Sequence, residues 1–305
     1  MSAQAAAGTA ASPATGRRLP TVREAALGAA LGAIRQLPPR AAAAAALPFF
    51  MRVGPRRIVQ TEEEHTHLIS QRSRIRVPGL QGKGGEAVAY AWGSGDRPVL
   101  LVHGWAGRAS QFAPLVRELR YAGVAAVAFD APAHGDAPGR GTYILDFIGA
   151  MAELERRHGP FRAVVAHSFG SLAALVAISE GLVADRAVTV SGMGDADHLV
   201  ASFATAAGLG PTAAAALRER FARRIFPLEP DVYGRFSAVR HPLPESVPLL
   251  VVHDVADRRV PSTEAGRLVA ANAGHASQLS TRGLGHQRIL ADERVLTEIT
   301  QFVAA

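Results

Sequence analysis

Three side chains in this 305-residue chain, Ser168, Asp257 and His286, follow one another in an order that nucleophilic acyl transfer can use. A serine hydroxyl is too weak a nucleophile alone. It needs an imidazole to take its proton and a carboxylate to hold that imidazole in place. Ser168 lies in Ala166-His-Ser168-Phe-Gly170, which reads as strand, sharp turn, helix. A serine at such a turn has unfavourable dihedrals, tolerated when the residues two positions away are small, as Ala166 and Gly170 are. The turn would lift Oγ above the sheet edge. It would also put the N–H of Phe169 at a helix start, where the dipole favours a developing oxyanion. The motif expects glycine at both flanks; alanine at 166 departs by one methyl. The competing structural role is a helix-capping serine.

The base and the acid have to sit on the same rim. His286 ends the glycine-rich loop Gly283-Leu-Gly-His286 after an expected strand at Gln278–Thr281, and Asp257 follows one at Pro248–His253. Trp105 follows the strand Val99–His103 through Gly104, whose freedom would let the N–H of Trp105 face the same oxyanion. Asp254, Asp195 and Asp197 are alternative acids. His253 and His167 stand at strand ends, where packing or hydrogen bonding is the expected role, and His134 is expected to structure its loop. His65 and His67 would make a metal pair only with a third ligand, and no third ligand motif lies nearby.

The elements that must position these residues are short β-branched runs alternating with helical stretches from residue 74 onward. Further strands are expected near Ile75–Val77, Ala87–Trp92, Val124–Asp130, Arg162–His167 and Ala187–Ser191. Helices are expected near Ser110–Tyr121, Ile144–His158, Gly170–Glu180, Thr263–Asn272 and Asp292–Phe302. Runs such as Val99-Leu-Leu-Val102 and Leu249-Leu-Val-Val252 are apolar at every position. A strand of that kind is covered on both faces, which implies a doubly wound, mostly parallel α/β sheet. In such sheets ligands lie beyond the carboxyl ends of the strands. Between Ser191 and Pro248 the chain holds more helix than one crossover needs, including Asp197–Ala207 and Thr212–Ile225. The surplus reads as a helical cap inserted at about 195–246.

Five motifs in order give the chain a resemblance to serine hydrolases of the α/β-hydrolase fold superfamily, in particular the broad bacterial esterase- and lipase-like group. They are Val-His103-Gly104-Trp105, Phe129-Asp-Ala-Pro-Ala-His134-Gly135, Ala166-His-Ser168-Phe-Gly170, Asp257-Arg-Arg-Val-Pro261 and Gly285-His286. The likeness covers roughly residues 74–305. It implies Ser168 as nucleophile, His286 as general base and then acid, and Asp257 as the orienting carboxylate, favoured over its rivals by the Val-Pro that follows. It implies the backbone N–H groups of Trp105 and Phe169 as an oxyanion hole, a small-molecule ester as substrate, and neither metal nor organic cofactor. The same triad would serve a thioesterase, an amidase or an acyltransferase. The fold could also serve as a non-catalytic binding module, although such relatives would be expected to lack a triad member.

Composition narrows the rest. The chain has no cysteine, which excludes disulfides, cysteine-ligated metals and a thiol nucleophile. Its formal net charge is +7, yet residues 1–60 hold eight arginines against one acid, so the remainder is balanced. A basic stripe on the body, as nucleic-acid binding needs, is absent from the sequence. The cap arginines Arg218, Arg220, Arg223 and Arg224 could meet an anionic substrate group, though a solvated helix face is the simpler expectation. No apolar run reaches a bilayer's span. Residues 1–46 form an Ala- and Arg-rich tail or helix, with Thr21–Leu37 as a helical candidate, and 47–305 form the hydrolase domain. The basic segment could touch a membrane surface weakly, and Arg17-Arg18 before Ala25–Ile34 faintly resembles an export signal. A cytoplasmic location is the expectation, with export or membrane association as the alternative. The sequence leaves oligomeric state open.

Overall fold

The computed structural model describes residues 22–305. Eight strands, β1 (Gln71–Val77), β2 (Gly85–Trp92), β3 (Val99–Val102), β4 (Ala126–Asp130), β5 (Ala163–His167), β6 (Ala187–Val190), β7 (Leu249–Asp254) and β8 (Ala276–Thr281), form one sheet. Their order is β1-β2-β4-β3-β5-β6-β7-β8. β2 runs antiparallel to both β1 and β4, and β3 to β8 are mutually parallel. The central strands are buried at every position, and successive residues feed different faces. Leu100 and Val102 join the core that contains Phe129 and Phe147; Val99 and Leu101 join the one that contains Leu119 and Val303.

Twelve helices flank and cap the sheet: α1 (Val22–Ile34), α2 (Pro39–Phe50), α3 (Thr61–Leu68), α4 (Ala113–Tyr121), α5 (Ile144–His158), α6 (Phe169–Ser179), α7 (Ala196–Ala206), α8 (Pro211–Ile225), α9 (Val232–Arg235), α10 (Thr263–Ala271), α11 (Gly285–Arg288) and α12 (Glu293–Ala304). α5, α6 and α10 pack on one face, α4 and α12 on the other. α7, α8 and α9 stand between β6 and β7, the stretch expected to be in excess of a plain crossover. Every expected strand is present within a few residues. The helix expected from Ser110 begins instead as a 3-10 turn over Ala109–Phe112.

The N-terminal segment differs most from its reading. The helical candidate Thr21–Leu37 corresponds to α1, while Arg17-Arg18 and the rest of residues 1–21 lie outside the described residues. The alanine run 41–46 is the middle of α2, which passes through the boundary expected at residue 46. Alanine is the best helix former, and Pro39 sits in the first turn where no N–H is lost. Ala42, Ala43 and Ala46 are buried. Their small side chains let α2 lie along α8, and Phe50 at its end meets Phe203 and Phe221 edge to face at 5.3 and 5.1 Å. Among the described residues no helix is long and apolar enough to cross a membrane.

Candidate active site

Backbone strain marks the rim where the parallel strands end. Six non-glycine residues among those described have positive φ, and four of them, Ala106, Ala133, Ser168 and Ser191, fall just past β3, β4, β5 and β6. Such conformations cost about 1–3 kcal/mol each and persist only where surrounding structure imposes them. Ser168 has φ +54° and ψ −122°, between the end of β5 and the first turn of α6. Close packing enforces this turn. A Cβ on Gly170 would stand 2.4 Å from the carbonyl oxygen of His103, so only glycine lets α6 start against the end of β3. A Cβ on Gly104 would come within 2.8 Å of the Ser168 Cβ, which puts the loop carrying Trp105 directly against the serine.

Ser168 is 8 % exposed. Its Oγ lies 3.0 Å from Nε2 of His286, and Nδ1 of His286 lies 2.8 Å from Oδ2 of Asp257. The consistent tautomer has the serine O–H donating to Nε2 and the Nδ1–H donating to the carboxylate. The other oxygen of Asp257 accepts the N–H groups of Arg259 and Val260 at 2.8 and 3.1 Å. Burial pushes this carboxyl up, but the bonds from His286 and the two amides outweigh it and hold it well below the ordinary carboxylate range. It is therefore a fixed anion beside the imidazole.

The alternative acids are engaged elsewhere. Asp195 accepts from Ser237 and Arg267, and Asp197 pairs with Arg218. Asp254 binds the loop that carries the histidine. It accepts the Leu284 N–H at 2.9 Å, the Thr281 hydroxyl at 2.8 Å and, more loosely, the Gly283 N–H. The cap arginines are partly spent as well. Arg218 also lies over the Tyr233 ring at 3.7 Å, and Arg223 pairs with Glu219.

Buried histidines tie the neighbouring loops together. His103 donates from Nδ1 to the Gly104 carbonyl and accepts the Ala131 N–H on Nε2. His134 donates to the Pro132 carbonyl and accepts the Ala106 N–H at 3.0 Å, pinning the residue after Trp105. His167 donates from Nε2 to the carbonyl of His286 and accepts from Gln111. Burial pushes all three imidazoles down, to about 4 for His103 and about 3 for His134 and His167. They are neutral, as their paired donor and acceptor roles demand. His253 donates to the Val260 carbonyl, behind Asp257. His67, singled out as half of a metal pair, lies 3.3 Å from both Arg108 and Asp136 in an ionic network.

Trp105 and Phe169 sit edge to face at 5.4 Å. The amide of Phe169 opens α6, where N–H groups lack intrahelical partners. Both residues line a cavity of about 280 Å³ between the strand rim and the helices α2, α7 and α8. Phe49, Phe50, Phe203, Phe221, Phe226 and Phe236 give it an aromatic wall. Sequence reading missed this wall. Its members come from α2, α7, α8 and the segment beyond, and no local pattern makes them converge. Asp254 was also visible only as a rival acid, because its loop partners lie about thirty residues away.

The profile of the alpha/beta hydrolase family matches residues 99–298. No curated protein sequence matches the chain. Among solved structures, the esterase Pf2001 of Pyrococcus furiosus superposes with a TM-score of 0.59 at 18% identity, over 83% of this chain and 97% of that one. The esterase RhEst1 of Rhodococcus sp. ECU1013 gives 0.55 at 16% identity, over 77% and 98%. A thioesterase domain from the curacin biosynthetic pathway gives 0.53 at 15%, over 77% and 99%. At these identities the likeness is one of fold.

Proposed function

Since the chain belongs to the alpha/beta hydrolase family, we propose that it is a serine hydrolase that cleaves a carboxylic ester through an acyl-enzyme. The observation that carries this reading is the pair of hydrogen bonds, 3.0 and 2.8 Å, joining the strained Ser168 to His286 and His286 to Asp257. Ser168 Oγ attacks the acyl carbon while Nε2 of His286 takes its proton. The oxyanion is met by the N–H groups of Trp105 and Phe169; removing one such donor typically costs about 10²–10³ in turnover. His286 then protonates the departing oxygen as the C–O bond breaks. Water then gives a proton to His286 as its oxygen bonds the acyl carbon; the bond to Ser168 Oγ breaks, His286 returns the proton to Oγ, and the acid leaves. Asp257 stays ionised throughout and stabilises the imidazolium.

The cavity supports an apolar acyl group, because its wall is aromatic and offers few polar partners. Residues 195–246 act in this reading as the cap, and the end of α2 shares that task. A fluorophosphonate probe tests the reading. It should label the folded protein at Ser168, and Ser168→Ala should lose both labelling and hydrolysis of p-nitrophenyl octanoate. A folded protein that neither labels nor hydrolyses the ester would overturn it and favour a binding module.

A further inference from the structure

A second cavity, also of about 280 Å³, opens beside the same loops. Arg52, Arg56 and Arg140 line it together with Gly54, Ala133 and Gly139. Two of the arginines come from the extended chain after α2, and the third from the loop after β4. All three are exposed. Among the described residues none of them has a carboxylate within ion-pair distance. Their neighbours are treated differently, for Arg57 is bound to Glu63 and Arg108 to Asp136. Arg56 donates to the Gly139 carbonyl at 3.2 Å, which joins the two walls and leaves the rest of its guanidinium to the cavity.

The position of this cavity relates it to the chemistry. Arg52 lines both cavities. Its carbonyl accepts the indole N–H of Trp105 at 3.4 Å. On the other side Ala133 adjoins His134, which holds the Ala106 N–H. The arginine cavity thus adjoins the loop that carries Trp105, and the aromatic cavity is lined by Trp105 itself. Three guanidinium forks exceed what one carboxylate can neutralise and suit the oxygens of phosphate groups.

We propose that this cavity binds a phosphate-bearing leaving group, so that the natural substrate joins an apolar acyl chain to a phosphorylated alcohol or thiol. The proposal rests on the acyl-transfer reading and narrows its substrate. Ser168 Oγ forms the acyl bond as the C–O or C–S bond to the leaving group breaks. His286 delivers the serine proton to the departing oxygen or sulfur, and water then frees the acid.

The test compares inhibitors of p-nitrophenyl octanoate hydrolysis that differ only in phosphate. 4′-Phosphopantetheine is set against pantetheine, and glycerol 3-phosphate against glycerol. At least one phosphorylated member should inhibit about tenfold more tightly than its phosphate-free counterpart. In Arg56→Gln/Arg140→Gln that advantage should fall to about twofold or less. An advantage confined to 4′-phosphopantetheine assigns a thiol, and one confined to glycerol 3-phosphate an alcohol. Equal inhibition within both pairs, with Ser168 still labelled, overturns the proposal and leaves the hydrolase reading standing. A double variant that instead loses binding to phosphatidylglycerol vesicles, with the inhibitor ratios unaltered, makes the arginines a membrane-facing surface and also overturns it. Absence of both labelling and ester hydrolysis removes the underlying reading itself.

Discussion

In the proposed mechanism the His286 imidazole serves as a base toward Ser168 only while its other nitrogen keeps its proton, and Asp257, 2.8 Å from Nδ1, would enforce this. Asp257→Asn should therefore fold normally but lower kcat by roughly 10⁴, because an amide can present its N–H to Nδ1 and favour the wrong tautomer. Asp195→Asn, bound to Ser237 and Arg267, should stay within about twofold of the parent. Steady-state kinetics on one ester checks both, and the reverse pattern would move the acid to Asp195. The three residues of the proposed reaction path, which the structure brings within hydrogen-bond distance, were legible as candidates because their constraints are local. A strained serine needs small flanks, and a mobile histidine needs a glycine loop. The support of Asp254 for residues 281–284 was not legible, since it exists only once β7 and β8 pair.

Elements were legible to the degree that burial stamps a pattern on them. β3 to β7 are covered on both faces and read as mainly apolar runs, unbroken in Val99–Val102 and in the first four residues of β7. β1 is exposed through Arg74, so only its end from Ile75 showed. α3, with the sequence TEEEHTHL, carries no apolar stripe, and α2 is an alanine run whose packing depends on what α8 offers it. α2 nonetheless shapes the aromatic cavity proposed to hold the acyl group, since Phe50 packs edge to face against Phe203 and Phe221. Phe50→Ala should deepen the cavity. Accommodating two more methylenes at about 0.8 kcal/mol each corresponds to roughly tenfold in relative kcat/KM. A p-nitrophenyl ester series should show the optimum moving to longer chains by that factor. An unmoved optimum would place the acyl group elsewhere.

At the scale of the whole molecule, the strand rim is stitched by histidines whose hydrogen bonds require the neutral form, and the fold is therefore expected to be acid-labile. In the unfolded chain an imidazole titrates near 6.5. Burial lowers His103 to about 4 and His134 and His167 to about 3 in the fold. A lowered folded value means that the unfolded state takes up protons first as pH falls. The stability these groups permit is therefore complete above about pH 6.5 and is lost progressively toward about pH 4 for His103 and about pH 3 for His134 and His167. Each contributes a slope of about 1.4 kcal/mol per pH unit inside that window, so three together approach roughly 4 kcal/mol per unit near pH 5. The depressed Asp257 carboxylate acts in the same direction at lower pH. Urea midpoints at constant ionic strength from pH 7.5 to 4.5 measure the slope. Uptake of two to three protons on unfolding near pH 5 is the expected result. One proton or fewer would mean that these imidazoles are charged in the fold, and the neutral bridges between the loops around Ser168 would then have to be redrawn.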